Sequence, residues 1–227
     1  MASGRDWGSM DSSTLILQPL HRGAEADLFL SQLPPWKVVV KRRVRKAYRH
    51  EKLDASIRKE RTIRESSAIR DGKVAGARLP SILGLDIERS TIIMTFIDGL
   101  LARNILDTMS NARRITLLEE LGRQVGFLHS AGITHGDLTT SNIILPADEK
   151  PFMVDFGMAR KSTDYEDHGS DLHLLQRSLI ATHALDAASS LRRVAKGYRE
   201  VVGEEMAKSS LRKAAEIARR GRYFAIR

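Results

Sequence analysis

His135-Gly136-Asp137-Leu138-Thr139-Thr140-Ser141-Asn142, with Asp155-Phe156-Gly157 thirteen residues beyond Asn142, is the stretch on which the reading of this chain turns. An acid, an amide five residues later and a second acid at fixed distance suit chemistry on a phosphoryl group. Asp137 on a loop can accept the proton of an incoming hydroxyl or orient it. Asn142 and Asp155 offer hard oxygen ligands of the kind that hold magnesium between phosphates. Charge developing on the moving group falls to the metal, so the protein mainly has to hold geometry.

The order and spacing match the catalytic loop and metal motif of the protein-kinase fold, which makes ATP and Mg2+ the expected cofactors. The first half supplies the expected partners. Lys41 ends the Val38-Val39-Val40 run, where a strand lysine reaches the α and β phosphates, and Glu65 on the following helix can pair with it. Met94, Phe96 and Ile97 lie where backbone groups would meet adenine. The phosphate loop departs from the pattern: Gly23, Ala24, Glu25 and Ala26 replace a three-glycine turn, and Glu25 needs an offsetting positive charge. Only sixteen residues separate Asp155 from Asp171, and no Ala-Pro-Glu follows, so a peptide-docking platform does not fit. Asp171 is expected to open a buried helix and bond to the catalytic-loop backbone. His135 reads as a packed histidine, while His129 and His183 read as ordinary residues. Ser162 and Thr163 read as exposed loop positions open to autophosphorylation.

Outward from the motif, strands are expected at Thr14–Gln18, Asp27–Ser31, Trp36–Lys41, Ile82–Ile87, Thr91–Ile97 and Phe152–Asp155, with a turn at Leu20–Ala24. A charged helix spans Lys52 to Arg70 with Leu53, Ile57, Ile63 and Ala68 on one face. Helices follow at Leu100–Met109 and Ile115–Ala131, the second stopped by Gly132, and Asp171–Arg220 reads as helical throughout. The fold class is therefore α+β and bilobal: a disordered start over 1–11, a strand-rich lobe over 12–99, and a reduced helical lobe over 100–227 with a basic tail, the cleft falling near Gly99. Hydrophobic residues make up 42% of the 227, enough for a core, and no apolar run is long enough to span a bilayer. No cysteine is present, which excludes disulfides and thiolate chemistry. No export signal is evident, so the expected setting is cytoplasmic, without a membrane partner.

The net charge of +9 is concentrated. Eleven basic residues face three acidic ones between Lys41 and Arg64, and eleven face four between Arg192 and Arg227. Two such regions suit an anionic partner such as an RNA backbone.

Taken together, the chain resembles the small atypical kinase subunit of the KEOPS complex. The resemblance rests on Gly23-Ala24-Glu25-Ala26, Lys41 with its basic followers, Tyr48-Arg49-His50, Arg61-Thr62 with Glu65, and the His135–Asn142 string. Asp155-Phe156-Gly157, Asp171-Leu172 and the terminal Arg220-Gly221-Arg222 complete it. It implies autophosphorylation at serine or threonine, and action chiefly as an ATPase beside the threonylcarbamoyl transferase subunit and the other KEOPS subunits. It also implies contact of the arginine-bearing tail, through Arg219, Arg220 and Arg222, with transfer RNA. Two other readings share parts of the pattern. A small-molecule phosphotransferase of the aminoglycoside or choline type shares His-Gly-Asp, but only seventy residues follow Gly157, too few for its substrate lobe. A nucleotide-binding scaffold without chemistry would not need Lys41, Asp137, Asn142 and Asp155 together.

Overall fold

A computed structural model describes residues 15–183 and 187–224, apart from the side chains of residues 182, 187 and 221–224. The segment read as a disordered start lies outside the described residues. The chain forms two compact units. One holds the described residues up to Arg70 with Pro80–Phe96, and the other holds Asp71–Leu79 and the chain from Ile97 onward.

The first unit is an antiparallel sheet in the order β1-β2-β3-β5-β4, with β1 at Gln18–Arg22, β2 at Ala26–Leu33, β3 at Trp36–Arg43, β4 at Ile82–Asp86 and β5 at Thr91–Thr95. Alternation along β3 sorts its side chains. Val38 and Val40 are fully buried and pack with Ile93, Phe29, Leu33 and Leu83. Lys41 and Arg43 are buried on the opposite face. The first strand is Gln18–Arg22 rather than Thr14–Gln18, because Gln18 pairs with Leu30 and Arg22 with Asp27 across a tight turn. All five β1 residues are exposed, so no apolar alternation marks it. Strand β5 ends at Thr95, two residues short of the expected end.

Helix α1 (Glu51–Val74) corrects the sequence reading most. Leu53 and Ile63, expected on its inner face, are exposed, while Asp54, Thr62, Glu65 and Ser66 are buried beside Ala68 and Ile69. The buried carboxylates are tolerated because basic side chains meet them. Asp54 accepts from Arg58 Nε at 2.7 Å, and that bond foremost holds its carboxyl below the usual range.

The second unit opens at β6 (Leu100–Leu101), α2 (Ala102–Ile105) and one 3-10 turn (Leu106–Thr108). The single helix expected over Leu100–Met109 is thus broken, because Leu100 and Leu101 pair with Leu145 and Ile144 of β8 (Ile143–Leu145). Helix α3 spans Asn111–Ser130 and starts four residues earlier than expected, capped by the Ser110 side chain. It ends just before Gly132, whose φ of +64 turns the chain away as expected. Strands β7 (Ile133–Thr134) and β10 (Arg160–Lys161) pair, and β9 (Phe152–Met153) joins β8. Helix α4 runs from Tyr165 to His183, α5 from Ala187 to Val202, and α6 from Glu204 to Phe224. The core gathers Leu128, Leu138, Met153, Phe156, Leu172 and Tyr198, all nearly inaccessible. Among the described residues no helix is long and apolar enough to cross a membrane.

Candidate active site

The motif loop hangs between β7 and β8. Its glycine is obligatory: Gly136 has φ +78, and a Cβ there would sit 2.5 Å from the Met158 carbonyl oxygen. His135 is buried, as expected of a packed histidine. Its Nδ1 accepts from the Asp137 amide at 3.3 Å, so its Nε2 is the donor to the Val154 carbonyl at 3.1 Å. Asp137 is exposed, as an acid meeting a substrate must be. Asn142 Nδ2 donates to the Asp137 carbonyl at 2.8 Å and to its carboxylate at 3.0 Å. The Asn142 amide nitrogen is thereby committed, and its oxygen is the atom left to meet a cation. Asp155 is held at φ +62, unusual for a residue with a side chain, and its carboxylate accepts from the Gly157 amide at 3.3 Å. Among the described residues, no group of three or more His, Cys, Asp or Glu side chains is placed to hold a metal ion. One amide oxygen and one carboxylate fit a magnesium ion whose remaining ligands are phosphates and water.

Asp171 reaches the loop as expected, but from within α4, six residues after its start, rather than from the opening of the helix. Its carboxylate accepts from the His135 and Gly136 amides at 2.6 and 2.8 Å. Burial pushes its pKa up, yet the hydrogen bond and charge of His129, with His135 behind them, outweigh that and hold it lowered. His129, read as ordinary, is buried in this cluster. Its Nδ1 lies 2.9 Å from the Tyr198 hydroxyl, its Nε2 3.3 Å from Asp171, and its ring stacks on His168 at 4.3 Å. Burial, then the charge of His129, depresses His168 to about 4. Its ordinary value is 6.5, so the unfolded chain takes up this proton first as pH falls. The unfolding temperature is therefore expected to drop between pH 6.5 and 4. In His168→Phe, which keeps a ring against His129, that slope is expected to flatten. Melting curves at pH 6.5, 5.5 and 4.5 check this, and an unchanged slope would assign the dependence to other groups.

In the first unit, Lys41 Nζ donates to Glu65 Oε1 at 2.5 Å and Arg43 Nη2 to Glu65 Oε2 at 2.5 Å, and all three are buried. Sequence reasoning paired Lys41 with Glu65 and missed Arg43. The two-residue spacing along β3 was the available signal, since it puts Arg43 on the face of Lys41. In the phosphate turn, the Gly23 amide donates to the Ala26 carbonyl at 3.1 Å and the Val44 amide to the Glu25 carbonyl at 3.1 Å. The charge that offsets Glu25 is Arg61, at 2.6 Å. Lys46 Nζ donates to the Ala24 carbonyl. Met94 is buried within β5, paired with Val39 and Ile82. The Phe96 amide donates to the Lys37 carbonyl at 2.9 Å, and Lys37 Nζ lies 4.2 Å above the Phe96 ring. Ile97, half-buried, begins the second stretch of the other unit.

Much of the first basic region is internally paired, through Arg58, Arg61 and Arg64 among others. In α6, Arg219 is exposed, whereas Arg220 donates to Glu166 Oε1 at 2.8 Å. Arg220, then Lys213, holds the Glu166 carboxyl below its usual range. The Arg222 side chain lies outside the described residues.

Residues 35–180 match the family model described as the RIO domain. The chain is 40% identical over 210 residues to the KEOPS complex subunit Bud32 of Pyrococcus abyssi, covering 90% of this chain and 95% of that one. It is 35% identical over 219 residues to a probable bifunctional tRNA threonylcarbamoyladenosine biosynthesis protein of Methanothermobacter thermautotrophicus. That match takes in 96% of this chain and 39% of the relative's length. The Rio2 kinase of Chaetomium thermophilum, solved as an ADP/Mg2+-phosphoaspartate complex, matches with a TM-score of 0.56 at 18% identity, covering 90% of this chain and 70% of that one. At that identity the likeness speaks to the α+β kinase-like fold, and it agrees with the strand-rich and helical units seen here. On the RIO-domain match and on a 40% identity to Bud32 that spans nearly the whole of both chains, this chain belongs to the Bud32 family of RIO-domain atypical kinases.

Proposed function

We propose that this protein is an ATP- and Mg2+-dependent atypical serine/threonine kinase of the KEOPS complex that acts chiefly as an ATPase in threonylcarbamoyl modification of transfer RNA adenosine. The observation that carries the reading is the Asp137–Asn142 pair, in which the amide nitrogen steadies the acid and the amide oxygen is left for a cation. Bound magnesium would neutralise phosphate charge as it develops. The chain's own residues do the rest. Asn142 and Asp155 hold the metal. Asp137, exposed and fixed by Asn142, orients the attacking hydroxyl or water and accepts its proton at a carboxylate oxygen. Lys41, held by Glu65, meets the α and β phosphates. Arg61 removes the repulsion that Glu25 would otherwise present to a phosphate approaching the Gly23–Ala26 turn.

The names of the relatives support the setting. One relative is a KEOPS subunit, and another joins the matched portion to a longer remainder under a threonylcarbamoyladenosine biosynthesis name. A transferase subunit, the other KEOPS subunits and transfer RNA are accordingly the proposed partners, in the cytoplasm. Of the two tail arginines whose side chains are described, exposed Arg219 is better suited to RNA phosphate, since Arg220 already meets Glu166. ATP turnover by the purified chain is expected to require Mg2+ and to rise when transferase subunit and transfer RNA are added. Turnover indifferent to both additions would separate the chemistry from the complex.

A further inference from the structure

The catalytic loop is fastened to α4 at a second point that the motif does not announce. Asp171 holds the loop at His135 and Gly136. Seven residues along α4, on the same face and about 10 Å farther up the helix, Ser178 meets the loop at Thr140. The Thr140 amide donates to Ser178 Oγ at 2.9 Å, and the two hydroxyls lie 3.0 Å apart. His183, in the last turn of α4, adds a third tie. Its ring is buried, with Nε2 3.4 Å from Thr140 Oγ1 and Nδ1 3.1 Å from Asp107 Oδ1. Asp107 belongs to the 3-10 turn after α2, so two elements converge on one loop residue.

Asp107, His183 and Thr140 stand in the order of a nucleophilic triad, but the geometry excludes that role. Thr140 is 1% exposed, and its hydroxyl already faces Ser178, so no substrate atom reaches it. The value of the arrangement lies in where Thr140 sits, three residues after Asp137 and two before Asn142. The Asn142 amide donates to the Thr139 carbonyl at 3.0 Å and the Val154 amide to the Asn142 carbonyl at 2.9 Å. The turn that presents Asn142 is thus tied on both sides of Thr140, and fixing Thr140 fixes the spacing between the acid and the amide.

We propose that Ser178 and His183, with Asp107 behind the histidine, are positioning residues that lock the Thr139–Asn142 turn and thereby set the Asp137–Asn142 geometry. The proposal rests on the catalytic reading of Asp137 and Asn142. A small displacement of a reacting group lowers rate far more than it lowers ground-state binding. In the full chain, Ser178→Ala and His183→Leu are expected to lower kcat for ATP turnover about 10-fold with KM for ATP within about two-fold. They are also expected to raise the Mg2+ concentration giving half-maximal rate. Ser178→Thr, which keeps the hydroxyl, is expected to retain the wild-type values. A role confined to stability would lower the melting temperature and the active fraction without moving the Mg2+ midpoint.

Amide hydrogen exchange over residues 137–142 gives a readout independent of activity. Faster exchange in that segment in Ser178→Ala and His183→Leu, with α3 unchanged, supports the lock. Wild-type exchange, kcat and Mg2+ midpoint in both variants overturn it. If the wild type and Asp137→Ala turn over ATP equally, the catalytic reading fails by itself, and the exchange measurement still decides the lock.

Discussion

Glu65→Ala is expected to lower the stability of the chain by roughly 3–5 kcal/mol, the cost of breaking a buried ion pair from one side. Glu65 is 1% exposed and receives Lys41 and Arg43 at 2.5 Å each. Removing it strips the carboxylate from a guanidinium whose Nε already has no hydrogen-bond partner. Water cannot readily replace it, because the Arg43 side chain is only 4% exposed. Glu65→Gln, which keeps an acceptor oxygen, is expected to cost less. Lys41→Met should separate the two roles of this cluster. It leaves Arg43 on Glu65, so stability falls less than in Glu65→Ala, while turnover is lost if Lys41 meets phosphate. Urea denaturation of the three variants checks the order. A loss below about 1 kcal/mol in Glu65→Ala, the level of exposed pairs, would mean that the cluster contributes little.

Gly197→Ala is expected to lower the melting temperature by about 6–12 °C, the equivalent of roughly 3 kcal/mol for a chain of this size. A Cβ at Gly197 would lie 1.8 Å from the Glu119 carbonyl oxygen, and one at Gly122 would lie 2.0 Å from the Val194 carbonyl oxygen. These are reciprocal contacts of α3 and α5, and in both the obstacle is backbone. No rotamer change relieves it, so the helices would have to move apart. Tyr198, next to Gly197, would be drawn from its bond to His129, and through Asp171 the disturbance would reach the motif loop. Gly203→Ala is the control. Its φ of +80 costs a side chain about 1–2 kcal/mol, but nothing lies within 4 Å of the added carbon. Thermal melts of Gly197→Ala, Gly122→Ala and Gly203→Ala are expected to show a clearly smaller loss in the third. Losses at Gly197 and Gly122 no larger than that at Gly203 would mean that the two helices absorb a methyl group and that their close approach contributes little, since Gly203 alone of the three has a positive φ.

The parts legible in the sequence were those with strong local signals. The Val38-Val39-Val40 run marked β3 because a half-buried strand selects β-branched residues, and Gly132 marked the end of α3. Kinase spacing supplied the fold class because the loop chemistry fixes the separation of Asp137, Asn142 and Asp155. Most of what escaped notice depended on partners distant in sequence. Arg43 reaches Glu65 from 22 residues away, so its share in the expected Lys41–Glu65 pair went unread. Apolar periodicity in α1 pointed to Leu53 and Ile63, although Asp54 is buried there against Arg58, one turn on. Strand β1 is wholly exposed, so its register follows from β2 and not from its own pattern. His129, Ser178 and His183 are unremarkable locally, and only tertiary packing brings them to Asp171 and Thr140.

The central claim is that Asp137, Asn142 and Asp155 form a magnesium-dependent phosphoryl-transfer centre. The most direct test is phosphate release from ATP, with and without Mg2+, by the wild type, Asp137→Ala and Asp155→Ala, with transferase subunit and transfer RNA present and folding confirmed by melting. The account predicts metal-dependent release by the wild type and none above background in either variant. Release that persists undiminished in both variants, or its absence from a folded, partnered wild type, would contradict it.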